Sequence, residues 1–572
     1  MSTQHGSKVD ERTPLLVRSA TVSSSASNVS LTSSGETSSG SDRHPGSAHS
    51  KRIDEEAQEP QSTPQSNTPA SIARIISVLL IGGFISNADG SLVLATHPVI
   101  ASEFDALNES SWLLTSFALA AAATQPLYGK LSDIYGRKAL LLCAYFLFGL
   151  GCALMGIGTT MWHVILGRAI SGAGSSGMTA LVSILITDLV PLRDVASWRS
   201  YVNVVATTGR SLGGPLGGFL ADTVGWRWSF FGQAPLAFIA IILVWYTLPN
   251  DIQTSKTGTE QKKGKLGRVD FLGAGLMTLA ILSFLLPLEI GGVRLPWSHP
   301  LIPGLLAAGL VFALLFLATE AYVAREPIFP LELLKQREAI ACFLTMGAQV
   351  AAQMGLMFAV PLYFQVTQGA SNTVAGAHLF PAVAGNAVGG ILSGLSIRRT
   401  GRYKSQILLA TLFAAFAYLL LILRWHGHTN WLESLYIIPG GFGTGVAQSA
   451  VFIALQAGID PKHTAVAAAA LYLSSSVGMV TGMAGVSATL QEMLRRGLVR
   501  RIGNFDLSDD KKMKIIERAV SDVHYIDHAS PTIAKAVIGA YVEALTWTHV
   551  ASLVFALFAF FSSLFLRQHK LW

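Results

Sequence analysis

Asp89 stands midway along an apolar run, FISNADGSLVLATHPVI, where an unpaired charge costs about 2.5 to 3.5 kcal/mol on insertion scales. A carboxylate kept at that cost is expected to do chemistry, and the chemistry open to it is taking up and releasing a proton. At helical spacing Ser86, Asp89, Val93 and Thr96 share one face, so the carboxylate is expected to look into a polar stripe and a water-filled cavity. The bland alternative is a structural hydrogen bond to nearby backbone. A second charge, Arg168, falls inside another apolar run, with Ser171, Ser175, Thr179 and Ser183 continuing its face. A guanidinium stays charged and can bias the protonation of a carboxylate. Anchoring near the membrane surface is the alternative, and whether Arg168 meets Asp89 is open at this level.

The segment GKLSDIYGRK, Gly129 to Lys138, groups Gly129, Asp133, Gly136 and Arg137. Glycine permits a tight turn and close helix approach, while Asp133 can pair with Arg137 or cap a neighbouring helix. The seven-residue glycine spacing and its arginine return as Gly394, Gly401 and Arg402, so the segment reads as a conformational latch within an internal repeat. Gln125, Asn203, Thr207, Gln349, Gln353, Asn386 and Gln448 are polar residues within apolar runs and candidates to line a cavity. Each taken alone is better read as a bridge between helices. Arg210 is too costly to face lipid, so protein or water is expected around it. His378 fits packing as well as function.

Such residues need elements that hold them inside an apolar solvent. Of 572 residues, 51% are hydrophobic and 13% charged, against roughly 25% charged in a soluble chain. Apolar runs of about 20 residues, enough to cross about 30 Å of hydrocarbon as helices, recur from Ser71 onward. Fourteen spans are predicted, at about 74–98, 111–129, 138–158, 162–186, 198–221, 229–248, 270–290, 301–320, 339–364, 373–396, 405–424, 432–456, 463–489 and 547–566. Residues 1–70, rich in Ser, Thr, Gly and Pro, read as a disordered cytosolic tail without the pattern of a cleaved signal.

The rest divides into an N-terminal six-helix half (71–249), a cytosolic linker with two inserted helices (250–325), and a C-terminal six-helix half (326–572). The last contains a long non-cytosolic loop at about 491–546. Ser508 before Asp509 and Ser530 before Pro531 read as helix starts within it, the second running into the last span. The loop is too short and too charged to promise much of a core. Two halves with a solute site between them near the midplane are a transporter plan.

The formal charge of +7 does not indicate nucleic acid, because the basic residues lie in short loops. Eighteen Lys and Arg residues, Lys130, Arg193, Arg199, Lys262 and Lys462 among them, fall after even spans, against Arg227, Arg294 and Arg424 after odd ones. That asymmetry puts both termini in the cytosol. Cys143, Cys152 and Cys342 sit in or at the ends of apolar runs as small hydrophobes, so neither a disulfide frame nor a metal site is read. With no nucleotide loop either, no enzyme is expected and no cofactor beyond protons as coupling ion. The expected partners are the bilayer and a small-molecule solute.

GKLSDIYGRK resembles the signature loop of the major facilitator superfamily. LGRAISGAGSSG (Leu166 to Gly177) resembles its fourth-helix motif, and GRSLGGPLGGFLAD (Gly209 to Asp222) resembles the glycine-proline antiporter motif of its fifth helix. With fourteen spans the chain is similar to fungal drug:proton antiporters over about residues 71–567. The resemblance implies an all-α membrane protein of major facilitator fold, with proton coupling through Asp89 and Arg168 and alternating access through Gly129, Asp133, Gly136 and Arg137. In the antiporter motif, Gly209, Arg210, Gly213, Gly214, Pro215, Gly217 and Gly218 would give a bend and tight packing, since Pro removes an intrahelical bond and Gly lets backbones touch. In the repeated loop Arg398 stands where Asp133 does, a departure that argues against a matching latch.

THPVIASEF after Asp89 and GWRWSFFGQAP (Gly225 to Pro235) are similar to fungal vacuolar basic amino acid transporters. Glu11, Leu15 and Leu16 in ERTPLL resemble an acidic dileucine sorting signal, which implies sorting adaptors and a vacuolar address. Asn108-Glu109-Ser110 is a glycosylation sequon close to the membrane, where occupancy is not expected. The expectation is therefore a proton-coupled antiporter that moves Arg, Lys or His from cytosol into the vacuole, with Asp89 shared by proton and solute. A plasma-membrane multidrug or toxin efflux pump and a non-transporting nutrient receptor are the alternatives.

Overall fold

The computed structural model describes residues 69–571 apart from 107, 108, 111, 250–267, 292–294, 325, 431, 504, 506, 507 and 522–524. The sorting residues Glu11, Leu15 and Leu16, the sequon at Asn108 and residues 1–68 of the tail lie outside them. The described elements are helices: α1 (Pro69–Glu103), α2 (Trp112–Tyr135), α3 (Arg137–Ile157), α4 (Met161–Leu189), α5 (Leu192–Thr223), α6 (Trp226–Phe231), α7 (Gln233–Thr247), α8 (Phe271–Ile290), α9 (Leu301–Tyr322) and the short α10 (Glu332–Lys335). They continue with α11 (Arg337–Gln368), α12 (Asn372–Ala377), α13 (Phe380–Thr400), α14 (Lys404–Arg424), α15 (Ile438–Gly458), α16 (Thr464–Ile502), α17 (Asp509–Ser521), α18 (Tyr525–His528) and α19 (Pro531–Leu564).

Helix is the element that satisfies every backbone group within one segment, as a hydrocarbon solvent demands. Local chemistry sets the ends: the Thr160 side chain accepts from His163 N–H to start α4, and Asp270 accepts from Gly273 N–H to start α8. Gly136 (φ 92°) and Gly401 (φ 66°) make the turns after α2 and α13 in backbone conformations that favour glycine. The two copies of the repeated glycine thus do the same work.

Among the described residues, twelve segments are long and apolar enough to cross a membrane. Two further long helices, α2 and α5, fall short of that because they carry Gln125, Lys130 and Asp133, and Asp194, Arg199, Asn203 and Arg210. Both line the junction between halves. α1 to α7 pack among themselves, as do α11 to α19, while α2 meets α16 and α5 meets α13 and α15 across the junction. α8 and α9 pack on each other and reach α2 and α16.

Small residues carry this packing. A methyl group on Gly213 would overlap the Ala88 carbonyl oxygen of α1, and one on Gly441 would overlap the Ala382 carbonyl oxygen of α13. With lipid outside, such close backbone approach supplies the van der Waals attraction that the hydrophobic effect does not.

The loop expected at 491–546 is largely helical. α16 runs to Ile502, α19 begins at Pro531, and Ile516, Ala519, Val537 and Ala540 are buried in the core of the second half. Arg500 and Arg501 pair with Glu543, and Tyr541 Oη donates to the Ala519 carbonyl at 2.8 Å. The expectation of little core there is corrected. Its charges fall on the outer face of α17 while the apolar residues at helical spacing join α19. The predicted helix starts at Ser508 and Ser530 match α17 and α19.

Candidate functional site

Arg168 Nη1 lies 2.5 Å from Asp89 Oδ2, with side chains 1% and 0% exposed. Around this pair Arg168 Nε donates to the Leu113 carbonyl of α2 at 2.9 Å, and its guanidinium rests 4.2 Å from the Phe117 ring centroid. Gln233 Nε2 of α7 donates to Asp89 Oδ1 at 3.2 Å. One turn away, Ser86 and Ser175 hydroxyls bond α1 to α4. Four helices thus hold one enclosed ion pair. The polar face of α1 predicted from spacing exists, with Ser86, Val93 and Thr96 also buried, but it meets protein and not a water-filled cavity. In this conformation Asp89 is enclosed by protein and not open to a solute. Arg168 is likewise an interior partner and no surface anchor.

Burying two charges is worthwhile only when each keeps its partners, and removing one from such a pair typically costs about 3 to 5 kcal/mol. A proton delivered to Asp89 would do that chemically. The arrangement therefore joins α1, α4 and α7 through one buried pair whose integrity depends on both charges.

At the α2–α3 turn, Arg137 pairs with Asp133 Oδ1 at 2.7 Å and with Asp188 Oδ2 of α4 at 3.0 Å, and it also donates to Ser132. A methyl on Gly129 would come within 2.9 Å of Ala469 Cβ on α16, so glycine there lets the halves touch. Lys130 reaches Glu326 at 3.2 Å, which also takes Arg268 at 2.7 Å, so the inserted pair is tied to the same loop. Burial pushes the Glu326 carboxyl up, but the Arg268 and Lys130 bonds outweigh it and hold the group below its ordinary value.

The repeated loop differs in polarity. Arg398 of α13 pairs with Asp194 of α5 at 2.7 Å, across the halves. The expectation of no latch there is corrected: the arginine found in place of an acid is answered by an acid on the opposite half. Gly394 also packs against Ala196 and Ser197 of α5.

Of the residues named as cavity lining, Gln125 accepts from Ser476 at 3.1 Å, Asn203 donates to Asn386 at 2.8 Å, and Thr207 donates to the same Asn386 oxygen at 3.2 Å. These four bridge the halves in this state. Gln349 bonds Thr444 within the second half at 3.2 Å, and Gln353 and Gln448 stay half-buried. His378 stacks on Phe364 with ring centroids 3.6 Å apart, a packing role.

In the antiporter motif Gly209, Gly213 and Gly217 each press on α1, Gly214 approaches Ser91, and Gly218 meets nothing within 4 Å. Pro215 lies inside an unbroken α5, and Arg210 is half-buried.

Sequence reasoning missed Gln233, Asp188, Asp194 and, most of all, Arg199. Counted as a loop charge, Arg199 is 9% exposed in the second turn of α5. It donates to Ser183 at 2.6 Å and Tyr472 at 2.8 Å, and lies 3.9 Å from the Phe452 ring centroid. Together with one apolar cluster that joins Val195, Ala196, Val446 and Ala465, these contacts close the junction at the end bearing the α2–α3 turn.

The family model of the Major Facilitator Superfamily matches residues 79–483, well over half of the chain. The chain belongs to the major facilitator superfamily. It is a multi-pass membrane transporter and not an enzyme. Its relatives include the fission yeast "Vacuolar membrane amino acid uptake transporter fnx2", 30% identical over 512 residues, covering 89% of this chain and 87% of the relative. Also similar is the fission yeast "Multidrug resistance protein fnx1", 31% identical over 505 residues, covering 87% and 93%. The budding yeast "Vacuolar basic amino acid transporter 2" is 27% identical over 448 residues, covering 77% and 94%. As a major facilitator protein, the chain uses α2, α5, α13 and α16 as the helices at which its two halves meet.

Proposed function

We propose that this transporter is a proton-coupled antiporter that takes basic amino acids, Arg, Lys or His, from the cytosol into the acidic vacuole lumen. In this reading fourteen helices cross the membrane, both termini are cytosolic, and the Glu11, Leu15 and Leu16 signal directs sorting through adaptors. The observation that carries the reading is the enclosed Asp89–Arg168 pair. Lumenal protons reach Asp89, neutralise it and free Arg168. The bonds that α1 makes to α4 and α7 then change, and with them the contact of α1 on α5.

Because α5 carries the cross-half contacts of Arg199, Asn203 and Asp194, a change on α1 is passed to the cytosolic seal. Solute and proton exchange because they stabilise different ends of this equilibrium. The likeness to vacuolar amino acid transporters supports the substrate and the address. The test is lumenal alkalinisation of acidified vesicles on adding cytosolic-side lysine. Wild-type protein gives it, and a chain that ignores lysine is no such antiporter.

The likeness to a multidrug resistance protein favours a second reading, drug efflux at the plasma membrane. Imaging a tagged chain, with Leu15→Ala and Leu16→Ala beside it, separates the two. A non-transporting receptor would signal without regard to Asp89→Asn.

A further inference from the structure

Arg210 is a charged residue of α5 that neither the proton pair nor the seal uses. It lies nine residues after Tyr201 and nine before Phe219, both exposed on the outer face of α5. Nine residues are about two and a half turns, so Arg210 points away from lipid on the opposite side of the helix. Arg199, eleven residues earlier on that same side, touches α4, α15 and α16. Asn203 and Thr207, seven and three residues before Arg210, meet Asn386 of α13, and Gly213, Gly214 and Gly217, three, four and seven residues after it, lie against α1, so the face that holds Arg210 stands between α1 and the second half, about 16 Å further along than the Arg199 seal.

There the guanidinium forms no hydrogen bond, ion pair or ring contact with any described residue, and the residue as a whole is half-buried. Asp89 is already taken by Arg168 and Gln233. A guanidinium inside the membrane without an acid is costly to keep, and its planar fork matches a carboxylate with two parallel hydrogen bonds.

We propose that Arg210 is the anchor for the α-carboxylate of the transported amino acid. The proposal rests on the amino acid reading above and adds the contact that selects a carboxylate-bearing solute. A basic amino acid is then held by its anionic end on α5, while its cationic end lies toward the second half, where the half-buried Gln353 and Gln448 offer amide oxygens. Specificity for amino acids over plain amines follows, since an amine brings nothing to pair with Arg210.

The experiment uses the full chain in liposomes with labelled lysine, and three competitors: lysine, lysine methyl ester and cadaverine, which is lysine without its carboxylate. In the wild type, ester and cadaverine compete at least about tenfold more weakly than lysine. Arg210→Gln raises the lysine KM about tenfold to a hundredfold, leaves the cadaverine inhibition constant unchanged, and erases the preference for lysine over its ester. Arg210→Lys falls between. A residue that merely supported the fold would lower the maximal rate for every solute alike.

Thermal stabilisation of the wild type by lysine, absent with the ester, reads the same contact without a substitution. An ester that competes as well as lysine, or an Arg210→Gln variant with wild-type lysine KM, overturns the anchor alone. A wild type that carries cadaverine or drugs and no amino acid overturns the amino acid reading and the anchor with it.

Discussion

Asp89 and Arg168 form a buried pair with 2.5 Å between Oδ2 and Nη1, in which neither side chain keeps more than 1% of its surface. Removing one partner leaves the other charged and enclosed. Asp89→Asn and Arg168→Gln are each expected to destabilise the protein by about 3 to 5 kcal/mol, whereas the double variant costs clearly less than their sum. Thermal unfolding in detergent measures all three. Additive losses would mean that the two side chains are not coupled.

The contact of α5 on α1 gives a sharper packing test. Gly213→Ala forces a methyl onto the Ala88 carbonyl oxygen, while Gly218→Ala, five residues on, meets nothing within 4 Å. The first is expected to cost about 1 to 3 kcal/mol and to slow transport; the second should match the wild type in both. Equal behaviour of the two would remove the packing role assigned to Gly213.

The Arg398–Asp194 pair is partly exposed, at 52% and 29%, so its worth to folding is under about 1 kcal/mol. Its effect is expected in the equilibrium between conformations instead. Arg398→Asp should speed labelling of a cysteine placed at Ser200, and the swap Arg398→Asp with Asp194→Arg should return it toward the wild-type rate. Labelling unaffected by either change would deny the pair any part in the seal.

On the opposite side, the Arg227 hydrogen bond, opposed by partial burial and aided by Trp226, holds the Glu103 carboxyl below its ordinary value of 4.5. A lowered folded value means the stabilisation is full above about pH 4.5 and lost as pH falls through the folded value. With both groups partly exposed, the effect is under about 1 kcal/mol. Glu103→Gln should melt slightly below the wild type at pH 7, and the two curves should meet below pH 4.5. A gap that widens in acid would reverse the sign.

The fold was legible because apolar length reports a spanning helix directly and because the Gly129 and Gly209 segments have fixed spacing that few other structures need. Asp89 and Arg168 were each legible as buried charges, since their cost in lipid is set by depth alone. Their meeting was not, because it depends on how α1 packs on α4. Arg199 was misplaced for a physical reason: hydropathy reads LRDVASWR as a loop, although the protein interior, and not lipid, surrounds the Arg199 guanidinium. The same blindness hid the core of 491–546: its helix starts at Ser508 and Ser530 were legible, but the charged outer face outweighs the apolar positions, Ile516 and Ala519 among them, that join the core. Arg398 showed that a departure from a repeat can be compensated on the other half, which spacing within one segment does not reveal.

The most direct measurement compares lysine accumulation driven by a pH gradient with lysine-for-lysine exchange in liposomes holding Asp89→Asn. On the proposed coupling, accumulation should vanish while exchange persists, since the neutral amide spares the solute path and cannot take up a proton. An amide variant that accumulates lysine against its gradient at the wild-type rate contradicts the account.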